Sequence, residues 1–322
     1  MVRPTLSLTL PTFGSTVPAN EWHRLLDLAR AVDEAGVDRV LLTDHVVMGE
    51  HLDRYPFGDF HFPPDVPWLE PLSTIAAIAS VTRRVRMSTK ILIAPLRPAP
   101  LLAKTLATID QISQGRVEIG VATGWQREEY DAAGIDWSQR GQLLTDTLAA
   151  CRALWAVSPA TFHSASFSFD NIWCEPKPFQ DRLPIWVAGA PNRRNLDRLV
   201  SVGDGWIPPA YADLESFTHD AAIVRDAWAS AGREGILQIQ GDLDVVAGAN
   251  GRPDIAASLA AGVPHLLDAG ATTVNVVLPL FVGRLERAPA FLEELMTCWR
   301  ELTGETAGDE SKNSRSAPAD AR

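Results

Sequence analysis

The spacing of apolar positions switches back and forth along the chain between a period of two and a period near 3.6. Residues 4–11, "PTLSLTLP", alternate as a strand does, and 20–36, "NEWHRLLDLARAVDEAG", then place Trp22, Leu25, Leu26, Ala29 and Val32 on one helical face. Asn20 is positioned to cap that helix and Gly36 to end it. The exchange repeats: strand at 38–45 ("DRVLLTDH"), helix at 70–82, strand at 84–95 ("RVRMSTKILIAP"), helix at 101–113 closed by Gly115, and strand at 116–122. A helix over 139–156 turns Leu144, Thr147, Leu148, Cys151 and Trp155 to one side. Strands recur at "LPIWVAG", "GDGWIP", "ILQIQGDLDV" and "TTVNVVL".

Eight strands followed by helices predict an α/β fold, a closed (β/α)8 TIM barrel rather than an open doubly wound sheet. The first strand leads into no GxGxxG, the glycine pattern an open dinucleotide-binding sheet would need there. Two stretches break the rhythm and read as insertions after strands two and four: 46–69, rich in proline and aromatics, and 157–182, a hairpin ("TFHSASFSFDNIW") followed by "EPKPFQ". A single domain over 1–304 is expected, with the small, polar and charged residues 305–322 as a disordered tail.

Composition narrows the function more than the fold. With 46% hydrophobic and 21% charged residues among 322, the chain has ample material for a core. A net charge of -11 with scattered lysines and arginines excludes a phosphate-backbone binder, so no nucleic-acid partner is expected. The apolar run at the N-terminus is short and alternating, unlike a signal segment, and no stretch reaches transmembrane length; a cytoplasmic protein without a membrane partner is expected. The three cysteines, Cys151, Cys174 and Cys298, form no CxxC pair and read as plain thiols.

Barrel enzymes work at the C-terminal ends of their strands. Those ends read Pro11-Thr12-Phe13, Asp44-His45, Ala94-Pro95, Thr123-Gly124-Trp125, Gly189-Ala190-Pro191-Asn192 and Gly205-Trp206 for strands one to six. His45 is the candidate proton carrier, since imidazole titrates near neutral pH. The turn at 189–192 offers backbone N–H groups and the start of a helix near Arg193, which suit an anion and equally suit a plain tight turn. Glu128 and Glu129, adjacent at a helix start, read as surface charges complementing the helix dipole. Tyr55, Phe57, Phe60, Phe62 and Trp68 are too apolar for a solvated loop, and form either a lid over the mouth or an oligomer contact. Phe13, Tyr55, Phe57, Trp68 and Trp206 are the candidate substrate-pocket residues.

The run from Glu70 to Gly134, "EPLSTIAAIASVTRRVRMSTKILIAPLRPAPLLAKTLATIDQISQGRVEIGVATGWQREEYDAAG", resembles the bacterial luciferase-like oxidoreductases, and more closely their F420-dependent actinobacterial branch. "TDHVVM", "WSQRGQLLTDTLAACRALW", "PKPFQ" and "GDGWIP" match that branch in the same order, so that the resemblance covers roughly residues 4–304. It implies a barrel, usually a homodimer, binding a flavin or the deazaflavin F420 across the mouth. It further implies a cis peptide at Lys90-Ile91 against one face of the ring, Asp44 near the ring edge and His45 facing the reacting carbon. Thr123, Gly124 and Trp125 would line the cofactor, with glycine allowing the backbone to approach the ring. Gly189, Ala190, Pro191 and Asn192 would cradle its phosphate, and Arg97 lies near the same mouth. Two residues depart from the pattern. Lys90 replaces a small residue, and either pairs with the anionic reduced ring or points into solvent; Ala190 replaces the second glycine of the phosphate turn.

The expected function is hydride transfer between carbon 5 of F420 and a small apolar organic substrate, with His45 and Asp44 catalytic. The nearest alternative is an FMN-dependent monooxygenase on the same barrel. A metal-dependent barrel hydrolase would need a ligand cluster such as His-x-His after strand one, and the seven histidines offer none, so no metal is expected. A non-catalytic cofactor-binding protein is the remaining class.

Overall fold

The computed structural model describes residues 3–210 and 213–304; the expected tail at 305–322 lies outside the described residues. In chain order the strands are β1 (Thr5–Thr9), β2 (Arg39–Leu42), β3 (Arg86–Thr89), β4 (Leu92–Ile93), β5 (Ile119–Ala122), β6 (Ala160–His163) and β7 (Ser168–Ile172). They continue as β8 (Ile185–Ala188), β9 (Gly205–Ile207), β10 (Gln238–Asp242), β11 (Val246–Ala247), β12 (Pro253–Asp254) and β13 (Thr273–Val277). Nine of them join in one parallel sheet, in the order β3-β2-β1-β13-β10-β9-β8-β5-β4. Its two edges, β3 and β4, are halves of one chain segment that leaves strand geometry at Lys90-Ile91, whose peptide is cis. Met87 N–H donates to Arg116 O and Glu118 N–H to Met87 O, both at 2.9 Å, which seals the seam. The nine strands are therefore the eight of a (β/α)8 barrel, the third being split.

The helices are α1 (Arg24–Ala35), α2 (Pro71–Val81), α3 (Ala99–Ser113), α4 (Arg127–Ala132), α5 (Arg140–Ala156), α6 (Arg193–Val202), α7 (Leu214–Ser230), α8 (Ile255–Asp268), α9 (Leu278–Phe281) and α10 (Ala288–Thr303). Alternation along each strand sends one set of side chains outward to them. Leu6 and Leu8 of β1, Val40 and Leu42 of β2, and Val274 and Val276 of β13 join the core shared with the helices. The intervening residues meet inside the barrel, and many are polar. Thr9 donates to Asn275 across the interior at 3.0 Å, and deeper down Arg39 Nε lies 3.0 Å from Glu118 Oε2.

Two local expectations are corrected. Asn20 caps nothing: residues 18–25 run through turns, with Glu21 N–H on Pro18 O and Arg24 N–H on Glu21 O, so α1 starts only at Arg24. The hairpin β6–β7 follows α5 and folds back along it, Ser166 N–H donating to Asp146 Oδ2 at 3.0 Å, so it does not crown the mouth.

Gly120, in mid-β5, leaves no room for a side chain: a Cβ would stand 2.3 Å from Thr89 O and 2.5 Å from Ile207 Cδ1. Gly120→Ala is expected to cost about 3 kcal/mol of stability, the upper end for overpacking, because backbone of the next strand must move. Denaturant unfolding checks this, and a loss under about 1 kcal/mol would contradict the packing described.

Candidate active site

The end of β2 is where the barrel spends a buried charge. Asp44 has a fully buried side chain that accepts from Ile93 N–H at 2.8 Å and from both Arg97 Nη atoms at 2.7 and 3.0 Å. Arg97 also donates to Glu70 Oε1 at 2.9 Å. Burial alone would lower the Arg97 pKa, but the pairing with Asp44 and Glu70 outweighs it and raises the guanidinium above its ordinary value. Asp44 thus ties the end of strand two to the segment after β4, and its carboxylate engages Arg97 and backbone rather than His45.

His45 finds its partner elsewhere. Its Nδ1 lies 3.1 Å from Glu129 Oε2, and the other oxygen of Glu129 accepts from Val46 N–H at 2.8 Å. Glu129 is 1% exposed, so the expectation of a surface charge is corrected. Its neighbours on α4 act on the same segment. Gln126 accepts from Gly49 N–H at 2.7 Å, and Glu128 packs against Gly49, where a Cβ would come within 2.6 Å of its side chain. The first turn of α4 therefore grips the chain leaving strand two. Glu129 is the functional residue that sequence reasoning passed over; the available signal was its place on the same helical face as Gln126 and Tyr130.

Around His45 the insertion folds as an aromatic wall. Trp68 stands edge-on to the imidazole, with centroids 4.7 Å apart, and Trp125 does so at 5.7 Å. Phe13 stacks on Trp68 at 4.0 Å, with the backbone of Leu69 bonded to Thr12 O. Tyr55 and Phe60 reach Trp125 at 5.3 and 5.4 Å, and Phe62 meets Phe13 at 5.0 Å. Phe57 touches Tyr55 from the outside and is half exposed. Of the predicted pocket residues, Phe13, Tyr55 and Trp68 come together at His45. Trp206 does not: it is buried, stacks on Phe217, and donates its indole N–H to Gly189 O at 2.9 Å, supporting that turn from below.

Lys90 turns into the barrel mouth rather than to solvent, with Nζ 2.6 Å from both oxygens of Asp242. Asp242 also accepts from Asn275 at 2.9 Å. Gly124 adopts φ +66°, and a Cβ there would meet the Ile93 side chain at 2.9 Å; its small size serves packing on Ile93. Thr123 offers its carbonyl to the buried Tyr130 hydroxyl, whose pKa burial pushes up. At the start of α6, Asn192 accepts from Asn195 N–H at 3.1 Å, and the Asn195 amide donates to Ala190 O at 2.8 Å. Gly189 takes φ +113° before this turn. Pro191 joins Ala190 to Asn192, and the N–H groups of Arg193 and Arg194 follow at the positive end of the helix.

The matching family description is luciferase-like monooxygenase, over residues 5–250, and the chain belongs to that family of oxidoreductases. An uncharacterized protein of Mycobacterium tuberculosis (strain ATCC 25618 / H37Rv) is 34% identical over 186 residues, 56% of this chain and 64% of that protein's length. The F420-dependent glucose-6-phosphate dehydrogenase of Microbacterium testaceum (strain StLB037) is 27% identical over 234 residues, 70% of this chain and 65% of the relative. The crystal structure of a long-chain alkane monooxygenase superposes with a TM-score of 0.75 at 15% identity, covering 96% of this chain and 93% of that one, and shares the fold. Among the described residues no helix is long and apolar enough to cross a membrane, and no cluster of His, Cys, Asp or Glu is placed to hold a metal ion.

The mouth fits a flat cofactor ring with an anionic tail. It has aromatic walls, a buried Trp68 indole N–H without an acceptor, and a helix start carrying Arg193 and Arg194. Asp44→Asn leaves Arg97 short of a full charge in a buried site and is expected to cost about 3 kcal/mol. Thermal and denaturant unfolding measure this, and a loss below about 1 kcal/mol would show that the clamp does not hold the strand ends.

Proposed function

We propose that this protein is an F420-dependent oxidoreductase that transfers a hydride between the deazaflavin carbon 5 and a small apolar organic substrate. The observation that carries this reading is the His45–Glu129 pair at the mouth. With Nδ1 engaged by a buried carboxylate, the remaining nitrogen, Nε2, is the one left to exchange a proton, and it makes no hydrogen bond among the described residues. F420, when bound, would supply the hydride-accepting and hydride-donating carbon. His45 would hold or release the accompanying proton at Nε2, and Glu129 would fix the ring and its tautomer. Trp68, Trp125, Phe13 and Tyr55 would exclude water and select an apolar substrate. Ala190, Pro191 and Asn192, with the N–H groups that follow, would hold the cofactor's phosphate. The F420 relative matched over 70% of this chain favours the deazaflavin over FMN.

The test is anaerobic turnover of reduced F420 against a panel of ketones, aldehydes, imines and activated alkenes, and of oxidised F420 against alcohols. His45→Ala should abolish turnover while cofactor affinity stays within a few fold. Glu129→Gln should slow turnover on the order of 10²-fold and alter its pH profile. Full activity in His45→Ala removes the histidine from the mechanism, and oxygen-dependent turnover with reduced FMN alone would replace the reading by an FMN-dependent monooxygenase.

We also propose a homodimer. Leu101 and Ile112, each 60% exposed on one face of α3, adjoin Trp173 at 68% and Phe179 at 54%. The segment carrying the last two is held on α3, Gln111 Nε2 donating to Lys177 O at 2.9 Å. Apolar surface of this kind is the material of subunit interfaces. Light scattering should give twice the chain mass, and Trp173→Glu should shift it toward the monomer; a monomeric parent protein would contradict the pairing.

A further inference from the structure

At the N-terminal end of the barrel, away from His45, lies a second cavity of about 390 Å³ lined by Arg39, Glu118, Trp186, Asp204, Trp228 and Arg233 among others. Its acceptors are already engaged. Glu118 Oε1 takes Arg86 Nε, and Oε2 takes the Trp186 indole N–H at 2.8 Å. Asp204 receives Arg152, Arg182 and the Ile185 N–H, the last at 3.0 Å. Two donors are left over. Arg39, with a side chain 7% exposed, lies over the Trp186 ring at 4.2 Å, and its Nε approaches Glu118 at an angle that makes no hydrogen bond. Trp228 of α7, also 7% exposed, has no acceptor for its indole N–H. Its ring is covered by the Arg233 guanidinium at 4.2 Å.

A buried donor without an acceptor costs about 1–3 kcal/mol, and most such groups in native proteins are satisfied by something. Here two of them line one cavity, beside three arginines, and the volume lies in the range of small-molecule sites. A planar guanidinium fork matches a carboxylate or a phosphate, and an indole N–H can add a third bond to the same group.

We propose that this cavity is a second ligand site, separate from the catalytic mouth, for a small organic oxyanion, a carboxylate or phosphate monoester accepting from Arg39 and Trp228. Residues at the starts of β2, β8 and β9 and in α7 all border the cavity, so the bound anion would cross-link strand starts to a helix and stabilise the barrel by mass action.

The test is calorimetric titration and thermal melting of the full chain with benzoate, citrate and phenyl phosphate, against sodium chloride at matched ionic strength. At least one of the three should bind one-to-one and raise the melting temperature, and the compound that does so tells carboxylate from phosphate. Trp228→Phe, which removes only the N–H, should weaken binding about five- to tenfold, as loss of one hydrogen bond would. Ile236→Trp, from the 55% exposed rim, should block binding without touching the buried charges. His45→Ala should leave binding unchanged. If no compound binds beyond the salt control, or if binding survives both cavity variants or falls with His45→Ala, the proposal is overturned.

Discussion

The placement of His45 rests on the burial of one carboxylate. Asp44 is withdrawn from water completely, and a charge so placed is tolerated only when its oxygens are met by donors. Arg97 and the Ile93 N–H meet them, and both come from the segment that follows the break at Lys90-Ile91. The clamp therefore sets the end of strand two against the end of strand three, and the next residue along, His45, inherits a fixed backbone position. Glu129 then sets the imbalance between the two ring nitrogens, and the aromatic insertion closes around the side that stays open.

A barrel interior built from polar and charged residues is what makes two different mouths possible. At the C-terminal end Thr9, Asn275, Asp242 and Lys90 form a connected set. At the N-terminal end Arg39, Glu118, Arg86 and Trp186 form another. The upper set pairs all its charges within the chain, so the candidate active site offers a ligand hydrophobic walls and a single unpaired nitrogen on His45. The lower set has more donors than acceptors and so leaves a demand for an anion.

Much of this was legible from residue order. The barrel followed from strand and helix periods, and the importance of Asp44-His45 followed from their place at a strand end, because both depend on local spacing that tertiary packing then preserves. What each side chain does was harder to read. Asp44 and Arg97 are 53 positions apart, and nothing local shows that they pair. Glu129 looked like helix-dipole decoration because a helix start favours acids at the surface; only the docking of residues 46–54 on α4 buries it. Gly124 and Trp206 misled in the same way, since a glycine and an indole at a strand end can face a ligand or a neighbour, and here they face Ile93 and the Gly189 turn.

The central claim is that the mouth beside His45 is a deazaflavin site. It is tested most directly by titrating the protein's tryptophan fluorescence with F420 and, separately, with FMN, since Trp68 and Trp125 both stand against His45. The account predicts saturable quenching at low concentrations of F420 and much weaker binding of FMN. Tight FMN binding with little or none for F420, or no response to either, would contradict it.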